Sequence, residues 1–360
     1  MKKSILILFV GIFGIANAQI PTGYYDGTSG ITGYTLKTKL GQIITAGYSQ
    51  HTYDELDGEY PKSDADKYYE NDNTILDIYS ENPIGPDPYN YTFGVKKCGN
   101  YAVEGDCYNK EHTVPQSLFN QKLPMRSDIH HVLPTDGKVN GYRSNYPFGK
   151  VTNPSITSKN GSKLGPNATP GATYFGSVFE PINEFKGDIA RCLLYFVTRY
   201  QTQLSSFSSG NILNTSNVSQ GLVTWELNLL LLWHQQDPVS QKEIDRNNAA
   251  YSYQKNRNPY IDHPEWVTEV WGISPLAVDD AVFSKNLNIA PNPVRGNIIN
   301  VTGDKDLKKF NKAFIYNMVG QNVQTIENPF QNGNTIQLNN LPKGVYILKT
   351  GELNTKFVVE

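Results

Sequence analysis

The pattern of apolar residues changes once along this chain of 360 residues, and that change limits the fold more than any other feature. Before Ser274, long segments such as 185–200 and 222–236 carry apolar residues at the three- and four-residue spacing of helices. From Leu287, short alternating runs are separated by Asn and Gly, which is typical of strands and tight turns. The length and the change of pattern predict two domains, a mixed α+β domain followed by a small all-β sandwich.

The first residues have the features of an exported protein. Residues 1–18 begin with two lysines after Met, continue with a short apolar run and end in Ala-Asn-Ala, as a secretory signal peptide does. The apolar run is shorter than the roughly 20 residues that a membrane-spanning helix needs. We therefore expect a secreted monomer without a stable membrane span, in which a signal peptide (1–18) precedes the first domain (19–275), a linker (276–286) and the sandwich (287–360).

Turn residues and periodicity predict the individual elements. Residues 75–80 and 91–94 are apolar and bounded by turn signals, which predicts two short strands. Residues 151–172 are rich in Gly, Ser, Asn and Thr without a sustained period, which predicts a long surface loop and one wall of a substrate groove. Helices are predicted after Gly30, at 185–200, at 222–236 and from Ser240 to about Gln254, where Glu243 has capping-box spacing from Ser240. The sandwich strands are predicted at 298–301, 313–316, 323–326, 335–338, 345–349 and 356–359.

Three cysteines are present in a chain that we expect to be exported, so a disulfide is possible. Cys98 and Cys107 flank a short Gly-containing loop and are the natural pair. The alternative is that both are thiolate ligands of a metal, although no second pair completes a zinc set. Cys192 falls on the apolar stripe of the helix predicted at 185–200, which favours a buried, unreactive thiol.

One polar stretch, residues 107–145, holds three of the six histidines together with acid, amide and guanidinium groups. Glu111 and Asn140 offer the hard oxygen ligands that Mg²⁺, Ca²⁺ or Mn²⁺ prefer. His112 offers a base that is neutral near physiological pH. A divalent metal on one or two protein oxygens beside a neutral imidazole is an assembly that hydrolyses phosphodiesters.

The charge around this stretch is compatible with a phosphate-bearing substrate. The formal net charge of −2 gives no general attraction for nucleic acid. Residues 96–150, however, contain eight Lys or Arg against five Asp or Glu, a surplus of three positive charges. An ordinary solvated surface is equally compatible with this count.

Each candidate also has a purely structural interpretation. An Asn before Gly, as at Asn140, most often forms a turn or a helix end. Neighbours in a strand face opposite sides, so Glu111 and His112 reach one site only if the strand ends or bends there, as the nearby Pro115 permits. Taken singly, each residue favours structure, whereas the combination favours catalysis.

The combination strongly resembles the bacterial endonuclease I family, exported nucleases with a ββα-metal active site. The resemblance spans roughly residues 45–272, and it implies that His112 is the general base and that Glu111 and Asn140 bind a divalent metal, with Mg²⁺ favoured over Ca²⁺ or Mn²⁺. It implies supporting positions, which orient the ligands or brace the helix with Asn140, for Asp128, His130 and His131. The matching motifs lie at residues 109–115, 127–149, 185–191, 233–240 and 256–264.

Other positions of the family pattern are less well determined. An arginine contacts phosphate in some members, and here it is Arg126 or Arg143, although Arg143 alternatively makes a structural ion pair. Some members contain more disulfides than three cysteines allow, so that part of the pattern is absent. Three further matches are interpreted as packing and loop-closing residues: His234, Asp262 and His263.

A second resemblance concerns about the last seventy residues. The segments 290–293, 316–321, 338–346 and 356–358 are similar to the C-terminal sorting domain of type IX secretion cargo. This similarity implies the type IX secretion machinery as a partner and an extracellular location, either released or attached to the cell surface. An accessory β-domain that binds carbohydrate or another partner is the alternative.

The sequence therefore predicts a secreted, metal-dependent endonuclease that hydrolyses phosphodiester bonds of DNA, and of RNA as well, without sequence specificity. The resemblance implies 5′-phosphate products. One alternative is a catalytically inactive surface protein that binds nucleic acid or acts as an adhesin. Another is a zinc hydrolase for a different phosphoester, which needs a fuller set of His or Asp ligands than this sequence offers.

Overall fold

The structure is a computed structural model in which two compact units divide between Gly272 and Ile273. Within the described part of the chain, no helix is long and apolar enough to cross a membrane. The predicted signal peptide (1–18) and linker (276–286) lie outside the described residues. The structure describes residues 20–272, 287–303, 306–317, 322–350 and 353–360.

The first unit contains α-helices packed around one long buried helix, together with two small antiparallel sheets. Its helices are α1 (Gly33–Thr45), α2 (Leu56–Ser63), α3 (Gly137–Arg143), α4 (Lys186–Arg199), α5 (Thr224–Gln236), α6 (Gln241–Gln254), α7 (Pro259–Asp262) and α8 (Glu265–Trp271). Its strands are β1 (Tyr108–His112), β2 (Val132–Asp136), β3 (Ile156–Thr157), β4 (Lys163–Pro166) and β5 (Ser177–Glu180). The helices predicted after Gly30, at 185–200, at 222–236 and after Ser240 are therefore confirmed.

The central helix is α4, which packs against α5 and α1. Its apolar stripe, which includes Ile189, Leu193 and Phe196, is fully buried. Because neighbours surround the helix, its polar side is buried as well, and Arg191 is 0% exposed. The Arg191 guanidinium donates to Glu243 of α6 from Nε at 2.5 Å and from Nη2 at 2.8 Å.

The start of α6 shows why the sequence signal was reliable there. Ser240 and Glu243 form the predicted capping box, in which each side chain meets the other residue's backbone. Such a cap satisfies N–H groups that have no partner within the helix. Since Glu243 also accepts from Arg191, the same side chain caps α6 and ties it to α4.

The predictions of strands at 75–80 and 91–94 are wrong. Ile75 forms a single bridge to Ala65, and the chain then turns. The Asp77 carboxylate makes this turn, because it accepts the Tyr79 N–H at 2.9 Å and the Ser80 hydroxyl at 2.8 Å. Residues 75–80 are nevertheless buried, so their apolar character reflects burial rather than a β-ladder.

The segment 151–172 is also more ordered than predicted. It contains β3 and β4, which form a three-stranded antiparallel sheet with β5 in the order β3-β4-β5. The strands are too short to show an alternating pattern, since β3 has two residues and β4 has four. No residue of 151–172 lines the cleft of Glu111 and His112, so a groove wall in this segment stays a prediction.

The second unit is the predicted sandwich. Its strands are β6 (Leu287–Ala290), β7 (Ile298–Gly303), β8 (Lys312–Asn317), β9 (Asn322–Glu327), β10 (Thr335–Gln337), β11 (Gly344–Thr350) and β12 (Leu353–Val359). They form two antiparallel sheets with the strand orders β10-β7-β6 and β12-β11-β8-β9. Alternate residues such as Ile299 and Val301 of one sheet, and Ile315, Leu348 and Phe357 of the other, are buried in a common core.

The packing of α4 predicts opposite effects for two glycine substitutions. In Gly187→Ala, the new Cβ would overlap the backbone carbonyl oxygen of Asp237, so we expect the free energy of unfolding to fall by about 1–3 kcal/mol. Gly58→Ala in α2 is the control, because no atom lies within 4 Å of its Cβ and alanine favours helix by about 0.5–1 kcal/mol. Denaturation of the two variants, followed by circular dichroism, measures both changes. Equal stabilities would contradict the packing of α4 described here.

Candidate active site

A hairpin and the helix that follows it carry the candidate catalytic residues. β1 and β2 pair antiparallel, with Glu111 and His112 as the last two residues of β1. β2 leads directly into α3, where Asp136 caps the helix by accepting the N–H of Val139 at 2.7 Å. Asn140 therefore lies one turn into a helix whose start is fixed by the end of the hairpin.

These elements line an open cleft of about 430 Å³. Glu111 and His112 both line it even though they are adjacent in β1, because the strand ends at His112. The structure thus brings together side chains that are about thirty residues apart in sequence. The lining includes Tyr53, Asn109, Glu111, His112, Asn140 and Arg143.

Glu111 is held by two donors. It is 1% exposed, and its Oε1 oxygen lies 2.9 Å from Nη1 of Arg143 and accepts the Tyr79 hydroxyl at 3.1 Å. Burial raises the pKa of Glu111 to about 7, although Arg143 and Tyr79 act in the opposite direction. Arg143 also donates to the backbone carbonyls of His112 at 2.7 Å and Thr113 at 2.6 Å. One guanidinium therefore fixes both the carboxylate and the end of the strand.

The contacts of His112 define which nitrogen is the base. Nε2 lies 3.0 Å from the backbone carbonyl oxygen of Arg126. A carbonyl oxygen only accepts, so Nε2 carries the hydrogen and Nδ1 keeps the lone pair. Burial and, after it, the neighbouring His131 lower the pKa of His112 to about 3, so the ring is neutral at physiological pH. The Tyr53 ring stacks on it at 5.7 Å between centroids.

Asn140 is oriented by another residue of β1. Its Nδ2 amide donates to Oδ1 of Asn109 at 2.7 Å, so its own Oδ1 is the atom that remains for a cation. The site then offers one carboxylate and one amide oxygen. This donor set fits a magnesium-type ion, which takes few protein oxygens and keeps several waters.

The two candidate phosphate-binding arginines lie in different surroundings. Arg143 is 1% exposed, and its Nη1 and Nη2 groups contact Glu111 and the backbone of β1. Arg126 is half-buried and does not itself line the cleft, but its guanidinium lies 4.5 Å from the centroid of the Tyr53 ring, which does. The Nε atoms of both arginines are buried without a hydrogen-bond partner among the described residues, so the two differ in exposure and in the contacts of their Nη groups. The surroundings of Arg143 are those of a structural ion pair, and Arg126 is the more available cation.

Comparison with known proteins gives this arrangement a family. The family model for Endonuclease I matches residues 32–265, which is more than half of the chain. This chain belongs to the Endonuclease I family. The family is generally dependent on a divalent metal, which agrees with the donor set of the cleft.

Named relatives of this family member are nucleases. It is 34% identical over 251 residues to an extracellular ribonuclease of Bacillus amyloliquefaciens, covering 69% of this chain and 78% of the relative. An extracellular ribonuclease of Bacillus subtilis (strain 168) is 33% identical over the same shares of the two chains. Endonuclease-1 of Buchnera aphidicola subsp. Baizongia pistaciae is 23% identical over 137 residues, covering 38% of this chain and 46% of the relative.

The second unit has its own match. A model for the secretion system C-terminal sorting domain matches residues 288–360. The sorting domain and the extracellular relatives indicate export, so this Endonuclease I family member is a secreted nuclease.

In this nuclease, Asp128 is the centre of a buried network behind the hairpin. It is 0% exposed, and its Oδ2 oxygen accepts from the hydroxyls of Tyr195 at 2.9 Å and Tyr200 at 2.7 Å and from Nη1 of Arg199 at 3.1 Å. Its Oδ1 oxygen accepts from Nε2 of Gln254 at 2.7 Å. Burial works to raise the pKa of Asp128, but the charge of Arg199 and further groups overcome it and hold that pKa below its ordinary range.

The neighbouring histidines belong to the same network rather than to the cleft. Nε2 of His130 lies 3.2 Å from the carbonyl oxygen of Asn256, and Nε2 of His131 lies 2.7 Å from that of Met125. Burial lowers the pKa of each histidine to about 4, so both are neutral at physiological pH. None of Asp128, His130 and His131 lines the cleft. The same is true of His234, Asp262 and His263, which bond to backbone or to neighbouring charged groups.

The disulfide lies directly before β1. Cys98 and Cys107 are bonded, with their Cα atoms 5.4 Å apart, so the predicted pairing is confirmed and the alternative of two thiolate ligands is wrong. Gly137 at the start of α3 packs against this bridge, since a Cβ there would lie 2.8 Å from the Cys98 sulfur. Cys192 is buried and unpaired, and burial raises the pKa of its thiol to about 12, as expected for an unreactive cysteine.

Sequence reasoning missed the residues that orient the candidates. Asn109 stands two positions before Glu111, and residues at that spacing share one face of a strand, which was an available signal. Tyr53 carried no signal of its position at the cleft. Tyr79 was hidden by the wrong strand prediction at 75–80.

The Asp128 network predicts a pH-dependent loss of stability. At pH 7, Asp128→Asn leaves Arg199 buried without its charge partner, and we expect the free energy of unfolding to fall by about 3–5 kcal/mol. The unfolded carboxyl group titrates near about pH 3.9 and the folded one below it. The stabilisation is therefore present above about pH 4 and is lost as the pH falls through the folded pKa, so variant and wild type should converge in acid. Denaturation across this pH range tests the expectation, with the exposed Asp26→Asn as a control that changes little.

Proposed function

We propose that this protein is a metal-dependent endonuclease that hydrolyses phosphodiester bonds of DNA and RNA without sequence specificity and leaves 5′-phosphate ends. The observation that carries the proposal is the meeting, in one cleft, of a neutral His112 with the oxygen donors of Glu111 and Asn140. The relative named extracellular ribonuclease supports RNA as a substrate, and the relative named Endonuclease-1 supports cleavage within the nucleic-acid chain.

The chemistry follows from the tautomer of His112. Nδ1 accepts a proton from a water molecule while Nε2–H stays bonded to the carbonyl of Arg126. The water oxygen forms a bond to phosphorus, and the bond from phosphorus to the 3′ oxygen breaks with its electron pair. The 3′ oxygen takes up a proton, so the products are a 3′-hydroxyl and a 5′-phosphate. A divalent metal held by Glu111 and Asn140 supplies charge stabilisation of the phosphate and the leaving oxygen.

This mechanism explains the broad substrate range that we propose. The attacking group is water rather than a 2′-hydroxyl, so the sugar of the substrate takes no part in the reaction. Lys110 lines the cleft, where it is paired with Asp57, and Arg126 lies beside the lining residue Tyr53. Both cations would contact phosphates rather than base edges. Phosphate contacts position the substrate but carry no sequence information directly.

Arg143 and the buried network take positioning roles in this proposal. Arg143 holds the Glu111 carboxylate and the end of β1, while Arg126 is the phosphate-contacting residue. Asp128, His130 and His131 brace the hairpin against α4 and α6. We further propose that the type IX secretion machinery recognises residues 287–360 and that the mature protein acts as a monomer.

A plasmid-nicking assay tests the general base. His112→Ala should lower kcat by a factor of about 10² to 10⁴ with Mg²⁺ as the metal, because His112 is the one imidazole among the described residues that line the cleft. His263→Ala is the matched control and should keep wild-type activity, since His263 bonds Glu265 outside the cleft. Equal cutting by His112→Ala would overturn the mechanism. If the wild-type protein binds DNA but does not cut it with any divalent metal tested, it is the catalytically inactive nucleic-acid-binding protein that the sequence left as an alternative.

Salt dependence separates the two arginines. Arg126→Ala should raise KM and reduce the slope of log binding constant against log salt by about 0.7–0.9, because one phosphate contact is lost. Arg143→Ala should instead lower kcat, because Glu111 loses its partner. Lys308→Ala removes one exposed charge from the second unit and should leave the slope unchanged. An unchanged slope for Arg126→Ala would exclude Arg126 as the phosphate contact.

A further inference from the structure

A second group of acidic side chains lies apart from the cleft. Asp66, Glu70 and Glu81 each place a carboxylate oxygen within 4.8 Å of the other two. None of the three lines the cleft with Glu111 and His112. Three carboxylates this close repel one another unless a proton or a cation lies between them.

Asp66 is fixed by the loop that follows it. Its Oδ1 oxygen accepts the N–H groups of Tyr68 at 3.0 Å and Tyr69 at 3.1 Å. Its Oδ2 oxygen accepts those of Glu70 at 3.0 Å and Asn71 at 3.1 Å. The backbone therefore curls around the buried carboxylate and brings Glu70 towards it.

The surroundings of the Glu81 carboxylate indicate a ligand. The residue is 0% exposed, and neither of its carboxylate oxygens has a hydrogen-bond partner among the described residues. A buried polar group without a partner is strongly unfavourable, and here the unpartnered group points into a cluster of like charge.

The chemistry of the cluster selects the ion. Its donors are carboxylate oxygens alone, which suit hard cations rather than zinc or copper. Calcium accepts six to eight oxygens in a flexible geometry, whereas magnesium demands a near-ideal octahedron and retains its waters. Three carboxylates from an irregular loop and a turn fit calcium better.

The turn that carries Glu81 also reaches the candidate active site. Two residues earlier, Tyr79 donates its hydroxyl to Glu111, and Asp77 accepts the backbone N–H of Asp136 at 2.8 Å. Asn160 donates to the carbonyls of Ile78 at 3.2 Å and Glu81 at 3.4 Å. Whatever fixes Glu81 therefore also fixes the segment that positions Tyr79.

We propose that Asp66, Glu70 and Glu81 bind one Ca²⁺ ion at a structural site that is separate from the catalytic metal site. The ion neutralises the buried Glu81 carboxylate and joins the loop at 66–71 to the turn at 77–81. It thereby stabilises the turn that carries Tyr79, whose hydroxyl donates to Glu111. The proposal concerns binding and stability, so it stands or falls independently of nuclease activity.

Calcium titration of the mature, EGTA-treated full chain tests this site. All measurements use the Glu111→Gln background, which removes the carboxylate of the cleft so that binding there does not contribute. Isothermal titration should show one Ca²⁺ per chain, with a Kd between about 10⁻⁶ and 10⁻⁴ M. In 1 mM Ca²⁺ the melting temperature of the first unit should rise by about 5–10 °C.

Two further substitutions separate a metal site from ordinary packing. Adding Glu81→Gln should abolish both the binding and the rise. In EGTA this variant should melt no lower than its parent, because the Glu81 carboxyl group has no hydrogen-bond partner among the described residues to lose. Adding Glu226→Gln is the matched control, since Glu226 is equally buried and is not one of the three carboxylates of the cluster. That control should retain one bound Ca²⁺ and the full rise.

Three outcomes would overturn the proposal. The first is the absence of Ca²⁺ binding by the Glu111→Gln protein. The second is a calcium-dependent rise that survives Glu81→Gln, which would place the ion elsewhere. The third is an equal rise with Mg²⁺ at the same concentration, which would exclude a site built for calcium.

Discussion

The buried pair of Glu111 and Arg143 is the interaction on which the candidate site depends. Both side chains are 1% exposed, and their closest atoms are 2.9 Å apart. A buried ion pair adds little net stability compared with apolar residues of the same size, yet removing one partner leaves a buried charge that is destabilising by about 3–5 kcal/mol. The value of the pair therefore lies in geometry. Arg143 in α3 fixes the last residues of β1, and that contact sets the distance between the strand with His112 and the helix with Asn140.

The hairpin that carries this pair is itself held from behind. Asp128 precedes β2 and accepts hydrogen bonds from Tyr195, Arg199 and Tyr200 around the end of α4 and from Gln254 at the end of α6. Because each oxygen of Asp128 has at least two donors, the carboxylate cannot shift without breaking several bonds. The cleft is thus supported by a fully buried polar network of the first unit. This arrangement suits the proposed metal site, in which Glu111 and Asn140 would supply only two protein oxygens and their orientation would depend on the surrounding contacts.

The sequence predicted the structure correctly where a residue pattern depends on near neighbours or where a motif is long. The stripe of α4, the capping box at Ser240 and the strand alternation of the sandwich all depend on neighbours within a few residues, and each prediction is confirmed. The polar stretch at 107–145 was recognisable because its motifs are long. The structure brings its main candidates into one cleft, although their catalytic roles stay a proposal.

The failure at 75–80 has one physical cause, which is that a side chain took over a role normally played by a backbone ladder. The segment 151–172 was missed for another reason, since strands of two and four residues are too short to show alternation. At 75–80 the Asp77 carboxylate caps a turn, and burial against distant residues produces an apolar run without a strand. Tyr79 reaches Glu111 from that turn, a contact across 32 positions that no local period encodes. The same turn places Glu81 in an acidic cluster with Asp66 and Glu70, a meeting that no local period encodes. Around this turn, a buried polar group rather than an apolar pattern determines the path of the chain, and for that reason the sequence pattern did not predict it.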